Sequence, residues 1–415
     1  MPKQWILIGL LLTVAAVAVA VQVLRTRGSS GEGPYFTNVT ITPDTRAAAK
    51  SSNGFAFDLY RHMRTEPGNL FFSPASISTA LAMTYAGAAG ETRQQMARTL
   101  HFQSPDEQLH SGFGTMVKLL NSRGEGYRLR MANRLWGQQT SFRPEFLRTT
   151  REEYGAELAQ VDFGQSERAR QLINDWVQDQ TAGKIANLIP PGALKPATRL
   201  VLTNAIYFKG TWDQEFLEEA TQDSPFQISP GQQVSVPMMN QTEIFHYAET
   251  DQLQVLELPY KGHEVVMLIL LPKQVDGLAD VEQQLTADNV RRWTLGLRDH
   301  DVRVFLPRFA LTAAVQLTDL LISMGMPLAF SDQADFSGMS TSHELMITDV
   351  VHQALVDVNE EGTEAAAATW AAAAETSAAV SEPTIFRADH PFVFLIRDQR
   401  TGAILFLGRL IDPRG

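Results

Sequence analysis

Apolar positions recur at helical spacing through the first half of the chain and in short β-like runs through the second. Segments 53–63, 76–87, 92–100, 106–122 and 167–181 return hydrophobic side chains every three or four residues, which predicts amphipathic helices. Segments 200–209, 254–258, 264–271, 301–306, 345–358, 392–397 and 404–409 are short runs of Val, Ile, Leu and Phe, many bounded by Pro, Gly or Asp, which predicts strands. The last two read as a hairpin with 398–402 as its turn. Helices first and strands later point to an α+β protein with mainly antiparallel sheets.

The pattern breaks at the N-terminus. Residues 5–24 are almost unbroken in apolar character, preceded by Lys3 and followed by Arg25 and Arg27. Such a segment addresses a membrane, either as a signal peptide cleaved after Ala20 or as a retained anchor of spanning length. Residues 1–27 therefore read as signal or anchor, 28–50 as a polar linker, and 51–415 as one large domain, with an extracytoplasmic location, secreted or tethered. The 415 residues carry a net charge of −11 and no cysteine. The acidic balance argues against nucleic acid, which is bound by Lys and Arg that release counterions, and the missing cysteine removes disulfides, thiolate zinc sites and a cysteine nucleophile. Neither His263-Glu264 nor His343-Glu344 continues to a second histidine at zinc-helix spacing. No Gly-x-Ser-x-Gly elbow is present. No metal or cofactor is expected, and no enzyme.

The run Asn69-Leu70-Phe71-Phe72-Ser73-Pro74-Ala75-Ser76-Ile77-Ser78 is one of several with a recognisable order. Ile173-Asn174-Asp175-Trp176-Val177, Leu202-Thr203-Asn204-Ala205-Ile206-Tyr207-Phe208-Lys209-Gly210-Thr211-Trp212, Asp389-His390-Pro391-Phe392 and Phe406-Leu407-Gly408-Arg409 follow it. Together they resemble the serpin family from about residue 53 to 412. The resemblance implies a helix-rich N-terminal half, three mainly antiparallel β-sheets and an exposed reactive loop, here at about 360–386. It also implies a partner, a target serine endopeptidase held as a covalent acyl complex by a monomeric inhibitor.

Residues 365–374 hold eight alanines in ten. Alone, such a run reads as a surface helix or a linker, since alanine favours helix and is depleted in strands. The family context makes it the hinge of the bait loop: Glu360, Gly362, Thr363, Glu364, Ala365, Ala366, Ala367, Ala368 and Thr369. After cleavage that hinge enters the main sheet as a strand, and side chains alternate across a strand. Thr363, Ala365, Ala367, Thr369, Ala371 and Ala373 would turn toward the core, all small and uncharged. The family's hinge spacing puts the scissile bond at Thr376-Ser377; its downstream spacing puts it at Val380-Ser381. No Lys or Arg lies between Glu364 and Ile385, so an elastase-like or subtilisin-like target is expected rather than one demanding a basic residue.

The same resemblance assigns Ser73, Ser76, Asn204 and His352 to a polar cluster where sheet strands part. Trp212, Arg308 and Glu360 fall at the top of the sheet where insertion begins, the last two as an exposed ion pair that positions the loop. The leading expectation is a protease inhibitor; the alternative is a non-inhibitory serpin serving as a binding or scaffold protein.

Overall fold

The computed structural model describes residues 36, 38–156, 158–341, 345–363 and 382–415. Helix α1 (Pro43–Met63) opens the fold, earlier than the expected start at residue 51. Thr42 explains the difference: its hydroxyl accepts from the Thr45 N–H at 3.2 Å while the Thr45 hydroxyl accepts from the Thr42 N–H at 3.2 Å. This reciprocal cap, followed by Pro43 at the first helical position, starts a helix in a stretch whose polar surface reads as a linker.

Strand β1 (Leu70–Phe72) leads through Ser73 into α2 (Pro74–Tyr85), every residue of which is buried. The helix has no charged residue and its Ser and Thr hydroxyls are buried with its apolar side chains, so it needs cover on all sides. Helices α3 (Gly90–Thr99) and α4 (Asp106–Leu119) follow, then β2 (Tyr127–Gln138), α5 (Pro144–Glu152), β3 (Ala159–Val161), α6 (Ser166–Gln180) and β4 (Leu200–Thr211). The strand-rich part comprises β5 (Gln222–Ser229), β6 (Gln232–Glu249), β7 (Leu253–Pro259), β8 (Val265–Pro272), β9 (Arg298–Pro307) and β10 (Phe309–Gln316), then β11 (Ile347–Val358), β12 (Gly362–Thr363), β13 (Thr384–Arg387), β14 (Phe392–Asp398) and β15 (Ile404–Leu410). Helices α7 (Leu278–Gln284), α8 (Ala287–Leu295) and α9 (Thr318–Ser323) interrupt it.

The strands form a six-stranded sheet, in the order β10-β11-β12-β4-β2-β3, and a nine-stranded sheet, β1-β15-β14-β8-β7-β6-β9-β13 with β5 on β6. Two of the three sheets expected share one strand. Most of β6 pairs with β5 and β9, while its residues 246–249 pair with β7. Pairing is antiparallel except for β11 with β4, β13 with β9 and β2 with β3.

Between the sheets lies an aromatic core in which Phe71 stacks on Phe406 at 5.3 Å and Phe309 meets Phe394 at 5.4 Å. On the other face of the six-stranded sheet, α6 covers a second apolar layer containing Trp136, Ile173, Val177, Val201 and Val351. The sheet is thus apolar on both faces, and its two central strands, β11 and β4, pair directly over eight register positions from Ile347↔Leu200 to Leu355↔Tyr207.

Candidate functional site

At the end of β11 the chain reverses over Asn359–Gly362. The Asn359 N–H donates to Gly362 O at 2.8 Å, and the Asn359 side-chain oxygen accepts from the N–H groups of Glu361 and Gly362 at 3.2 and 3.3 Å. The reversal sends the chain back into the sheet it has just left. Gly362 pairs with Thr211 and Thr363 with Gly210 on one side, and Thr363 with Val358 on the other. Residues 360–363 were expected in an exposed loop; Gly362 and Thr363 instead form β12, wedged between β11 and β4. Backbone groups flanked on both sides by open ladder positions are better satisfied in the sheet than in water, and this overrides a loop-like local sequence. At the loop's other end, 384–386, also expected in the loop, belong to β13.

Position 362 admits only glycine. Its φ is +146°, and a Cβ there would lie 1.9 Å from Gly210 O. Thr363 is fully buried, with its hydroxyl 2.8 Å from that of Tyr260. Tyr260 in turn stacks on Trp212, ring centroids 4.4 Å apart. Trp212 donates its indole N–H to Asn359 O at 3.0 Å and its backbone N–H to Glu361 O at 2.8 Å. The tryptophan therefore holds the reversal from below.

Arg308 and Glu360 do meet: the Arg308 Nε–H donates to the two Glu360 carboxylate oxygens at 2.7 and 2.6 Å. The pair was expected to be exposed, and only half of it is. Arg308 keeps 41% of its side chain in solvent while Glu360 keeps 3%, because the chain reversal folds residue 360 inward under Thr221, whose hydroxyl also donates to it. Burial pushes the Glu360 carboxyl up, but Arg308 and Thr221 outweigh it and hold the group below the usual carboxylate range.

Lower in the sheet, Ser73, Ser76, Asn204 and His352 are brought together, all with no solvent exposure. The Ser73 N–H donates to His352 Nε2 at 3.1 Å, which leaves the ring proton on Nδ1, donated to the Asn204 side-chain oxygen. Asn204 donates to Ser76 Oγ at 2.6 Å and to the Asn133 side-chain oxygen, and Asn133 donates back to Ser76 O at 3.0 Å. Ser73 Oγ donates to Leu405 O at 2.6 Å and caps α2. His352, Asn204 and Asn133 thus sit in one row across β11, β4 and β2. Burial pushes the His352 pKa down to about 3, so the ring is neutral.

Asn133, Tyr260 and Thr221 are site residues that sequence reasoning missed. No sequence pattern marks any of the three: Asn133 lies among the arginines of 128–134, which blur the strand around it, and Thr221 and Tyr260 fall in no motif. Glu364, Ala365, Ala366, Ala367, Ala368 and Thr369, and both candidate bonds, Thr376-Ser377 and Val380-Ser381, lie outside the described residues, as does the apolar segment 5–24.

A main sheet entered by the root of a loop, above a polar cluster bridging its central strands, defines a class of protein whose loop is rooted in its main sheet. Residues 50–413 match the family described as serpin (serine protease inhibitor), and the chain belongs to it. Leukocyte elastase inhibitor of Bos taurus is 47% identical over 371 residues, 86% of this chain and 97% of that protein; that of Homo sapiens is 44% identical over 378 residues, 88% and 99% respectively. Among solved structures, uncleaved ovalbumin matches with a TM-score of 0.81 at 32% identity, over 88% of this chain and 100% of that one. The fold is the serpin fold, and the protein is a serine protease inhibitor rather than an enzyme.

The expected extracytoplasmic location is corrected by the same findings. The alignment takes in 99% of the human leukocyte elastase inhibitor, so that protein has no counterpart to the apolar N-terminal segment on which the expectation rested. Among the described residues no helix is long and apolar enough to cross a membrane.

Proposed function

We propose that this chain, as a monomer, traps an elastase-like serine endopeptidase as a suicide substrate. The protease serine attacks the Thr376 carbonyl, the bond to Ser377 breaks, the amine leaves with a proton, and an ester joins Thr376 to the enzyme. Val380-Ser381 is the alternative bond. The cut loop then inserts between β11 and β4, carrying the acylated protease with it before water can cleave the ester.

The observation that carries this reading is β12: Thr363 already occupies the first position of an inserted strand, its side chain turned to the core. An insertion that has begun needs only to propagate, and successive residues gain ladder hydrogen bonds to β11 and β4 in alternation. The register supports the alternation. Partner numbers fall by one at each step from Thr363↔Gly210 and from Thr363↔Val358. Residue 369 would then lie opposite both Asn204 and His352. Thr369 is the one inward hydroxyl after Thr363, and it would arrive where separating the strands breaks the His352–Asn204 bond. An unpaired buried polar group costs roughly 1–3 kcal/mol, so a hydroxyl at that level is the residue the site requires. The alanine-rich hinge without Lys or Arg, and relatives named for leukocyte elastase, favour a target that accepts small uncharged residues.

The test is to mix the full chain with pancreatic elastase and with subtilisin, run denaturing gels, and identify the released C-terminal peptide by mass spectrometry. A complex that survives denaturation and a peptide beginning at Ser377 or Ser381 are expected. Clean cleavage with both proteases still active would sink the proposal and favour a non-inhibitory binding role.

A further inference from the structure

The C-terminal end of the bait loop joins a surface that the inhibitory reading leaves unexplained. The outward faces of β13, β9 and β6 carry two adjacent rows, Ile385–Arg303–Thr242 and Arg387–Phe305–Asn240. Both arginines stack on one ring: the guanidinium carbon of Arg387 lies 3.6 Å from the Phe305 centroid and that of Arg303 5.1 Å. Neither is ion-paired among the described residues, although the chain carries a net charge of −11. Stacking strips water from one face of each guanidinium and leaves its N–H edges free, an arrangement that favours forked hydrogen bonds to carboxylates. Beside them Ile385 is 49% exposed, and Ile244, on the neighbouring row of β6, is 71% exposed.

The geometry points to this face as a second docking surface for the target protease, engaging carboxylates that the enzyme carries beside its active-site cleft. The inference rests on the bait reading above, and loop length assigns the occupant. Thr376 lies 8 residues before Thr384, where β13 begins, but 13 beyond Thr363; for Val380 the separations are 4 and 17. At roughly 3.3 Å per residue the bond can stand no more than about 26 Å from β13. An enzyme closed on that bond is held over the β13 edge of the molecule, where two stacked arginines and two exposed isoleucines await a partner. Asp301, exposed opposite Ile244 in the next row, borders the two arginines and leaves the patch one positive charge in excess on a chain of net charge −11; that local excess would also orient an incoming acidic surface before contact.

The test uses the full chain with whichever of pancreatic elastase and subtilisin it traps. Association rates are measured for the unmodified chain, Arg303→Ala/Arg387→Ala and Arg303→Glu/Arg387→Glu, at low salt and at 1 M NaCl. Cleavage of a free peptide spanning 364–385 reports the bait alone. The expected result is an association rate lowered about 10-fold by the double alanine variant and further by the double glutamate variant. The difference should shrink at 1 M salt, where the screening length is about 3 Å. Melting temperature and inhibition stoichiometry should stay unchanged. Rates unaffected by either variant, or raised by the glutamates, would overturn the inference. If no complex forms even with the unmodified chain, the suicide-substrate reading itself fails, which is a separate result.

Discussion

His352 is kept neutral by the direction of its hydrogen bonds as well as by burial. Its Nε2 accepts from the Ser73 N–H, so a proton on that nitrogen would set two donors against each other. Burial pushes its pKa to about 3, and that of His110, packed against Tyr154, to about 4 despite the nearby Asp106 carboxylate. In the unfolded chain both rings take up a proton near the usual pKa of about 6.5. Between the folded values and about 6.5 the unfolded state therefore binds more protons, so stability is complete above about 6.5 and declines as pH falls. The slope is about 1.4 kcal/mol per pH unit for each ring once pH is well below 6.5. Urea unfolding midpoints should be level from pH 7 to 8 and decrease from pH 6 to 5; a midpoint that holds constant down to pH 5 would show that these rings become charged in the fold.

Among the elements, β12 is the smallest and the most exacting. Its two residues sit between strands, with Gly362 against Gly210 O and Thr363 sealed beneath Tyr260. Thr363→Arg puts a long cation where no solvent reaches. Because the displaced segment is a loop root rather than a core strand, the expected outcome is an intact fold with β12 expelled and insertion slowed. The acyl-enzyme then hydrolyses first, and the stoichiometry of inhibition should rise at least about fivefold while bait cleavage continues; a stoichiometry equal to that of the unmodified chain would contradict the inward placement. The strands buried on both faces, such as 200–209 and 264–271, were legible in the sequence as continuous apolar runs. Strands β2, β6 and β10 were not, because Arg128, Arg130 and Arg134, or the Gln and Ser residues of β6, alternate with apolar ones on partly solvated faces and blur the pattern. The pairing of β12 could not be read at all: two residues carry no period, and the open ladders that capture them belong to strands whose paired residues, Gly210 and Val358, are 148 residues apart in sequence. The polar quartet was legible through family resemblance, whereas Asn133, Thr221 and Tyr260 join the site through three-dimensional register alone.

For the whole molecule, the arrangement of the six-stranded sheet argues that the uncut form is not the most stable one. Strands β11 and β4 lie parallel in an otherwise largely antiparallel sheet, and parallel pairing is slightly the weaker per residue. A strand continuing β12 downward would be antiparallel to both neighbours, replacing one parallel ladder with two antiparallel ones. It would also bury Ala365, Ala367, Ala371 and Ala373 against the core layer and return a hydroxyl to the His352–Asn204 row. The uncut loop cannot reach that state because its far end is held in β13, paired with β9. On the proposed trapping reading that tether is the barrier, and the uncut inhibitor persists by kinetic stability. Cutting the loop removes the constraint. If some ten inserted residues each gain a net hydrogen bond of about 1 kcal/mol, the bait-cleaved chain should melt at least about 10 °C above the intact one in scanning calorimetry. Identical melting temperatures for the two forms would mean that the loop stays outside the sheet after cleavage, and the trapping mechanism would lose its source of free energy.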